Sequence, residues 1–172
     1  QTLTISVRLH LESDPRRLRN ANTGQLCCQT PKIQPRPKSN GALTRMPYLR
    51  LNGLRFHYHL DDYTDPWQTK SVLLLHHAAG GNLHRWRGWV PVLAPHHLIL
   101  RFDMRGHAGT QLPSEGTFSL QDLVADIAAV LDDLGIEKVH LVGASAGGII
   151  SLSFAHDFPQ RLHSLSLVAS TP

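Results

Sequence analysis

The chain has 172 residues, 41% of them hydrophobic, with a formal net charge of +4. That length supports one domain with a real core, and apolar runs of four to six residues fall far short of a bilayer span. The charge is unevenly placed: residues 1–45 carry eight Lys/Arg against two acids, and residues 46–172 carry nine against eleven. The basic character therefore belongs to the first quarter alone. That segment has no aromatic interleaving and no binding motif, so neither a nucleic-acid nor a membrane partner is expected.

Residues 1–45 are rich in Pro, Ser, Asn, Thr and Arg, with one brief apolar alternation at Thr2–Leu11. The composition reads as mostly disordered. It suits a targeting segment, a linker, or translated sequence upstream of a start at Met46; the last is preferred, because Met46 opens the first well-patterned element. The only cysteines, Cys27 and Cys28, are adjacent in this tail. They make neither a disulfide framework nor a spaced metal site. A body free of cysteine suits a reducing, cytoplasmic location.

From Met46 the elements follow in order. Tyr48–Leu51 and Leu54–Leu60 read as strands joined by an Asn52-Gly53 hairpin turn. Asp61–Lys70 is a polar loop. Val72–Leu75 and Leu98–Phe102 are continuous apolar runs, expected as buried parallel strands. Between them, Trp86, Trp89, Val90 and Leu93 recur at helical spacing and predict a helix over Asn82–Ala94.

Ser119, with Asp122 three residues on, resembles a capping box. Leu120, Leu123, Val124, Ile127, Leu131 and Leu134 follow on one helical face, and Gly135 is the stop. Strand Val139–Val142, a helix from about Ala146 to Asp157, a stop at Pro159 and a strand Leu165–Val168 complete the chain. Strands alternating with helices predict an α/β architecture, a mostly parallel sheet with helices on both faces. Ligands of such sheets bind at the carboxyl ends of the strands.

Three strand-end loops carry chemistry. Gly143-Ala144-Ser145-Ala146-Gly147 is a Gly-x-Ser-x-Gly between an apolar strand and a helix, the pattern of a nucleophile elbow. Alone it arises by chance in roughly one chain of this size in twenty; the strand–helix context makes Ser145 a candidate nucleophile. His76-His77-Ala78-Ala79-Gly80-Gly81-Asn82 follows a strand and could supply an oxyanion N–H. Asp103-Met104-Arg105-Gly106-His107-Ala108-Gly109-Thr110 follows another, and its Asp and Arg are read as bracing the loop. His57, His59, His140 and His163 read as packing or surface residues. No histidine has metal-ligand spacing, and neither metal nor cofactor is expected.

Together these loops resemble the α/β-hydrolase superfamily over about Met46 to Pro172. His77-Ala78-Ala79-Gly80 looks like its H-G-x-x-G loop, Asp103 to Thr110 like its D-x-R-G-x-G-x-S loop, and Gly143–Gly147 like its elbow. Within the superfamily the chain looks most like the 3-oxoadipate enol-lactonase-like hydrolases. The resemblance implies a small ester or lactone substrate and Ser145 as nucleophile. The N–H groups of Ala146 and Ala79 would form the oxyanion hole, with His77, Gly80, Asp103, Arg105, Gly143 and Gly147 in the supporting loops. A cofactor-free haloperoxidase, a carbon–carbon bond hydrolase and a non-catalytic pseudo-hydrolase are the alternatives.

The resemblance also implies that the triad acid and histidine come after later strands, so the chain reads as the N-terminal portion of such a domain, ending at about the sixth strand. Two departures stand out. Ala78 replaces a glycine and would be strained if that site needs φ > 0, and Ala108-Gly109-Thr110 alters the G-x-S ending. A polypeptide ending at Pro172 is expected to expose Leu165–Val168 as an apolar edge. It should aggregate on size-exclusion chromatography and show no esterase activity.

Overall fold

The computed structural model describes residues 47–67 and 69–170. The expectations for residues 1–45, the start at Met46 and Cys27-Cys28 lie outside them. Six strands form one sheet in the order β1-β2-β4-β3-β5-β6: β1 (Tyr48–Leu51), β2 (Leu54–Asp61), β3 (Val72–His76), β4 (Leu98–Phe102), β5 (Val139–Ala144) and β6 (Leu162–Val168). The pairs β1/β2 and β2/β4 are antiparallel. The pairs β3/β4, β3/β5 and β5/β6 are parallel. The mostly parallel α/β sheet expected from the alternation is the one observed.

Apolar alternation explains why β3 and β4 read as continuous runs. Val72 and Leu74 pack with Leu98, Leu100 and Phe102 under α2 (Leu120–Asp133) and α3 (Ala146–Asp157), where Val124, Ile127, Val130, Leu131, Ile150 and Phe154 meet them. Leu73 and Leu75 point the other way, against Ile99, Trp86, Ala94 and partly buried Val90 and Leu93. Both sheet faces are covered, so both faces of these runs are apolar except at Arg101, whose charge is paired with Asp61.

Helix α2 begins and ends as its sequence dictates. The Ser119 hydroxyl accepts the Asp122 N–H at 3.2 Å, and the Asp122 carboxylate accepts the Ser119 N–H at 2.8 Å. This capping box satisfies two amides that a helix start leaves open. At the other end Gly135 N–H donates to Asp132 O and Ile136 N–H to Leu131 O, a Schellman closure. Leu120 departs from the expected apolar face and is 37% exposed.

One expected element differs. Asn82–Ala94 is not one helix but a 3₁₀ turn, Leu83–Trp86, followed by a single α turn, α1 (Val90–Leu93). Asn82 caps the first piece, accepting the His84 N–H at 3.0 Å. Gly88 and Pro91 account for the break: one is a poor helix former, and the other has no N–H to donate to the preceding turn. The tryptophans divide accordingly, Trp86 being buried and Trp89 exposed, with ring centroids 4.9 Å apart.

Chain order places the three loops together. The chain leaves β3 for β4 on one side, then returns to β5 on the other. The carboxyl ends of β3, β4 and β5 are therefore neighbours, at a point where the connections diverge.

Candidate active site

Ser145 sits between β5 and α3 with φ 49° and ψ −120°. A β-substituted residue adopts such a conformation only at a cost of order 1–3 kcal/mol, so its surroundings must hold it. Small neighbours make this possible. A Cβ at Gly143 would stand 2.5 Å from the Ser151 hydroxyl, and one at Gly147 would overlap the His77 carbonyl. The hydroxyl of Ser145 makes no capping bond to its own helix, and the residue is exposed. The elbow thus presents an uncommitted hydroxyl at the carboxyl edge of the sheet.

The loop after β3 packs onto this turn. His76, fully buried, donates from Nδ1 to the Gly147 carbonyl at 3.3 Å. Burial holds its pKa down at about 4. Ala78–Gly81 is a β-turn closed by Gly81 N–H on Ala78 O at 3.0 Å, with Gly80 at φ 68°. The left-handed residue is therefore Gly80, as a type II turn requires, and Ala78 is unstrained. The strain anticipated at Ala78 is absent because the turn is displaced two residues along.

His77 is a brace between two loops. Its Nε2 accepts the Met104 N–H at 3.0 Å, so its proton is on Nδ1, which donates to the Ala78 carbonyl at 2.8 Å. A protonated ring could not accept from Met104, and burial accordingly lowers the pKa of His77. In a trans peptide the carbonyl and the following N–H point in opposite directions. Fixing the Ala78 carbonyl therefore fixes the direction of the Ala79 N–H.

Asp103 ties a third element in. Its carboxylate accepts from His57 Nδ1 at 2.7 Å, Leu83 N–H at 2.7 Å and Gly109 N–H at 3.0 Å. Arg101 holds the other side of Leu83, donating to its carbonyl at 3.0 Å while bonded to Asp61 at 3.0 and 2.6 Å. Arg105 pairs not with Asp103 but with buried Asp126 of α2, through two bonds of 2.6 Å. Burial pushes the Asp126 carboxyl upward against the opposing pull of this guanidinium, while the carboxylate raises Arg105. The two charged residues do brace the loop, through separate partners.

Of the two roles expected for His57, packing or surface, the structure shows the buried one. Its ring is bonded to Asp103, and its backbone N–H donates to Thr110 Oγ1 at 3.0 Å. Its Nε2 is buried without a hydrogen-bond partner, so it makes no bond to the Ser145 hydroxyl. Thr110 Oγ1 also donates to the Asp103 carbonyl at 2.7 Å, and this hydroxyl closes the loop. Ala108 has φ 44°. This positive φ falls on a β-substituted residue, so the altered loop ending carries backbone strain at Ala108.

Among the described residues no group of three or more His, Cys, Asp or Glu could hold a metal ion. No helix among the described residues is long and apolar enough to cross a membrane.

Residues 71–172 match the family model described as the alpha/beta hydrolase fold. The chain is 39% identical over 100 residues to the pimeloyl-[acyl-carrier protein] methyl ester esterase of Aeromonas hydrophila, covering 58% of this chain and 38% of that protein. It is 36% identical over 101 residues to the 2-hydroxy-6-oxo-2,4-heptadienoate hydrolase of Pseudomonas putida, covering 57% and 37%. The enol-lactonase structure from Burkholderia xenovorans LB400 superposes with a TM-score of 0.65 at 28% identity, over 69% of this chain and 45% of that one. The chain spans less than half the length of each of these three.

Two outcomes are expected from this geometry. His76 binds a proton more weakly folded, at about 4, than unfolded, at 6.5. Between those values the unfolded state takes up the extra proton, so stability is full above pH 6.5 and falls as pH drops toward 4. The loss is roughly 3 kcal/mol at 1.36 kcal/mol per tenfold. Urea melts at pH 7 and 4.5 should show the loss, and His76→Gln should reduce it. Ala108→Gly should raise stability by roughly 0.5–1 kcal/mol in the same assay, since relief of strain exceeds the added chain entropy.

Proposed function

The chain belongs to the α/β-hydrolase fold family, and on that footing we propose that the whole protein is a serine hydrolase of a small carboxylic ester or lactone, with Ser145 as its nucleophile. One observation carries this reading. Ser145 holds a strained backbone conformation that leaves its hydroxyl exposed and unbonded to its own helix. Strain maintained at such a point is explained by use of the hydroxyl. The identities to an ester-hydrolysing relative and to an enol-lactonase structure support the substrate class.

In this reading Ser145 Oγ attacks the acyl carbon and its proton passes to a histidine base. The carbonyl oxygen gains charge and is met by the N–H groups of Ala146 and Ala79. The alcohol leaves with that proton, and water, deprotonated by the same base, cleaves the acyl-enzyme to the acid. Preset amides of this kind are typically worth 10²–10³ in rate per donor. The His57–Asp103 pair is buried and not bonded to the Ser145 hydroxyl, and the resemblance puts the base and its orienting acid after later strands, so both are assigned outside the described residues. Hydrolysis of a carbon–carbon bond by the same residues is a second reading, supported by the 36% identity to the oxo-heptadienoate hydrolase.

The test uses the full-length protein with p-nitrophenyl acetate, small lactones and oxo-dienoic acids. Ser145→Ala should reduce turnover of the preferred substrate by at least about 10³-fold at unchanged melting temperature. Equal turnover by parent and variant would sink the proposal, and the preferred substrate decides between the two readings.

A further inference from the structure

The backbone of Ser145 is held from a second direction, by the segment that follows β6. Its N–H donates to the Val168 carbonyl at 3.0 Å. Its carbonyl accepts from the Ser170 hydroxyl at 3.0 Å, and the same hydroxyl lies 3.2 Å from the Val168 carbonyl. Both neighbours are carbonyl oxygens, so the hydroxyl is the donor to either. Gly148 and Ile149 N–H groups also reach the Ser145 carbonyl, at 2.8 and 3.2 Å, but they belong to α3 itself. Ser170 is the donor that ties this peptide to the sheet.

The side chain at 170 has its place because position 148 has none: a Cβ on Gly148 would overlap both the Ser170 hydroxyl and its Cβ. The peptide from Ser145 to Ala146 is trans, so holding the Ser145 carbonyl inward turns the Ala146 N–H outward. This is the device that His77 applies to the Ala78–Ala79 peptide. Each of the two amides assigned to the oxyanion is thus set by a side chain bonded to the carbonyl of its own peptide.

We propose that Ser170 is a positioning residue for the reaction, aligning the Ala146 N–H and the Ser145 backbone from the end of β6. This rests on the reading of Ser145 as the nucleophile. The loss of alignment should appear in the chemical step and not in substrate binding, because Ser170 bonds to backbone and not to substrate.

In the full-length protein, kcat, KM and melting temperature are compared for the parent, Ser145→Ala, Ser170→Ala, Ser170→Cys and Ser170→Thr. Ser170→Ala should lower kcat by about tenfold, less than loss of an oxyanion donor itself, with KM unchanged. Ser170→Thr, which keeps the hydroxyl, should recover most of the loss. Ser170→Cys keeps the volume and weakens the donor, so it decides the matter if the alanine variant melts early. A cysteine variant with the parent's melting temperature and the parent's kcat overturns the role of Ser170, even with Ser145→Ala inactive. An active Ser145→Ala variant overturns the nucleophile reading instead.

Discussion

The backbone of Ser145 is the constraint on which the rest of the site depends. At φ 49° and ψ −120° it does not persist on local preference. It is held by the first turn of α3 and by the end of β6, while His76 at the end of β3 holds the neighbouring Gly147. The parallel sheet makes this possible by bringing β3, β5 and β6 side by side with their carboxyl ends together. β3, buried along its whole length, and the largely buried β5 make that frame stiff, and a stiff frame can keep one residue out of its preferred region.

Around this point the polar groups are allotted with little redundancy. Asp103 satisfies three donors from three segments, and Arg101 and Asp103 between them take both backbone groups of Leu83. His77 works only as a neutral ring, because one nitrogen must donate and the other accept. The loops after β3 and β4 are therefore fixed to each other before any ligand arrives. In the proposed reaction, such fixing would let the amides stabilise developing charge without moving. The cost is borne as buried polarity, most visibly at His57, whose Nε2 has no partner.

Much of this was legible in the chain. The apolar runs of β3 and β4, the capping box of α2 and the Gly-x-Ser-x-Gly segment are local patterns, and each formed where its residues placed it. The broken segment after Asn82 is also local: Gly88 and Pro91 speak against a continuous helix, while the tryptophan spacing speaks for one. The long-range pairs were not legible. His57 and Asp103 lie 46 positions apart, and no periodicity links them. Asp126 did leave a signal, since a carboxylate beside Val124, Ile127 and Val130 on a buried helix face needs a cation. Arg101 within an apolar strand was a similar mark. The two alanines show the limit of motif spelling: departure from glycine matters at 108, where φ is positive, and not at 78, where it is not.

The glycines of the elbow differ in what crowds them, and this bears on how the segment can change over evolutionary time. Position 147 faces the backbone of His76 and His77, and position 143 faces the backbone of Gly147 and Gly148 as well as Ser151. No substitution elsewhere removes a main-chain obstacle, so those two sites are closed to drift. Position 148 is crowded chiefly by one side chain, that of Ser170. A lineage that shortened residue 170 to glycine would free 148 to acquire a side chain. Positions 148 and 170 should therefore covary among homologues, whereas 143 and 147 should stay fixed.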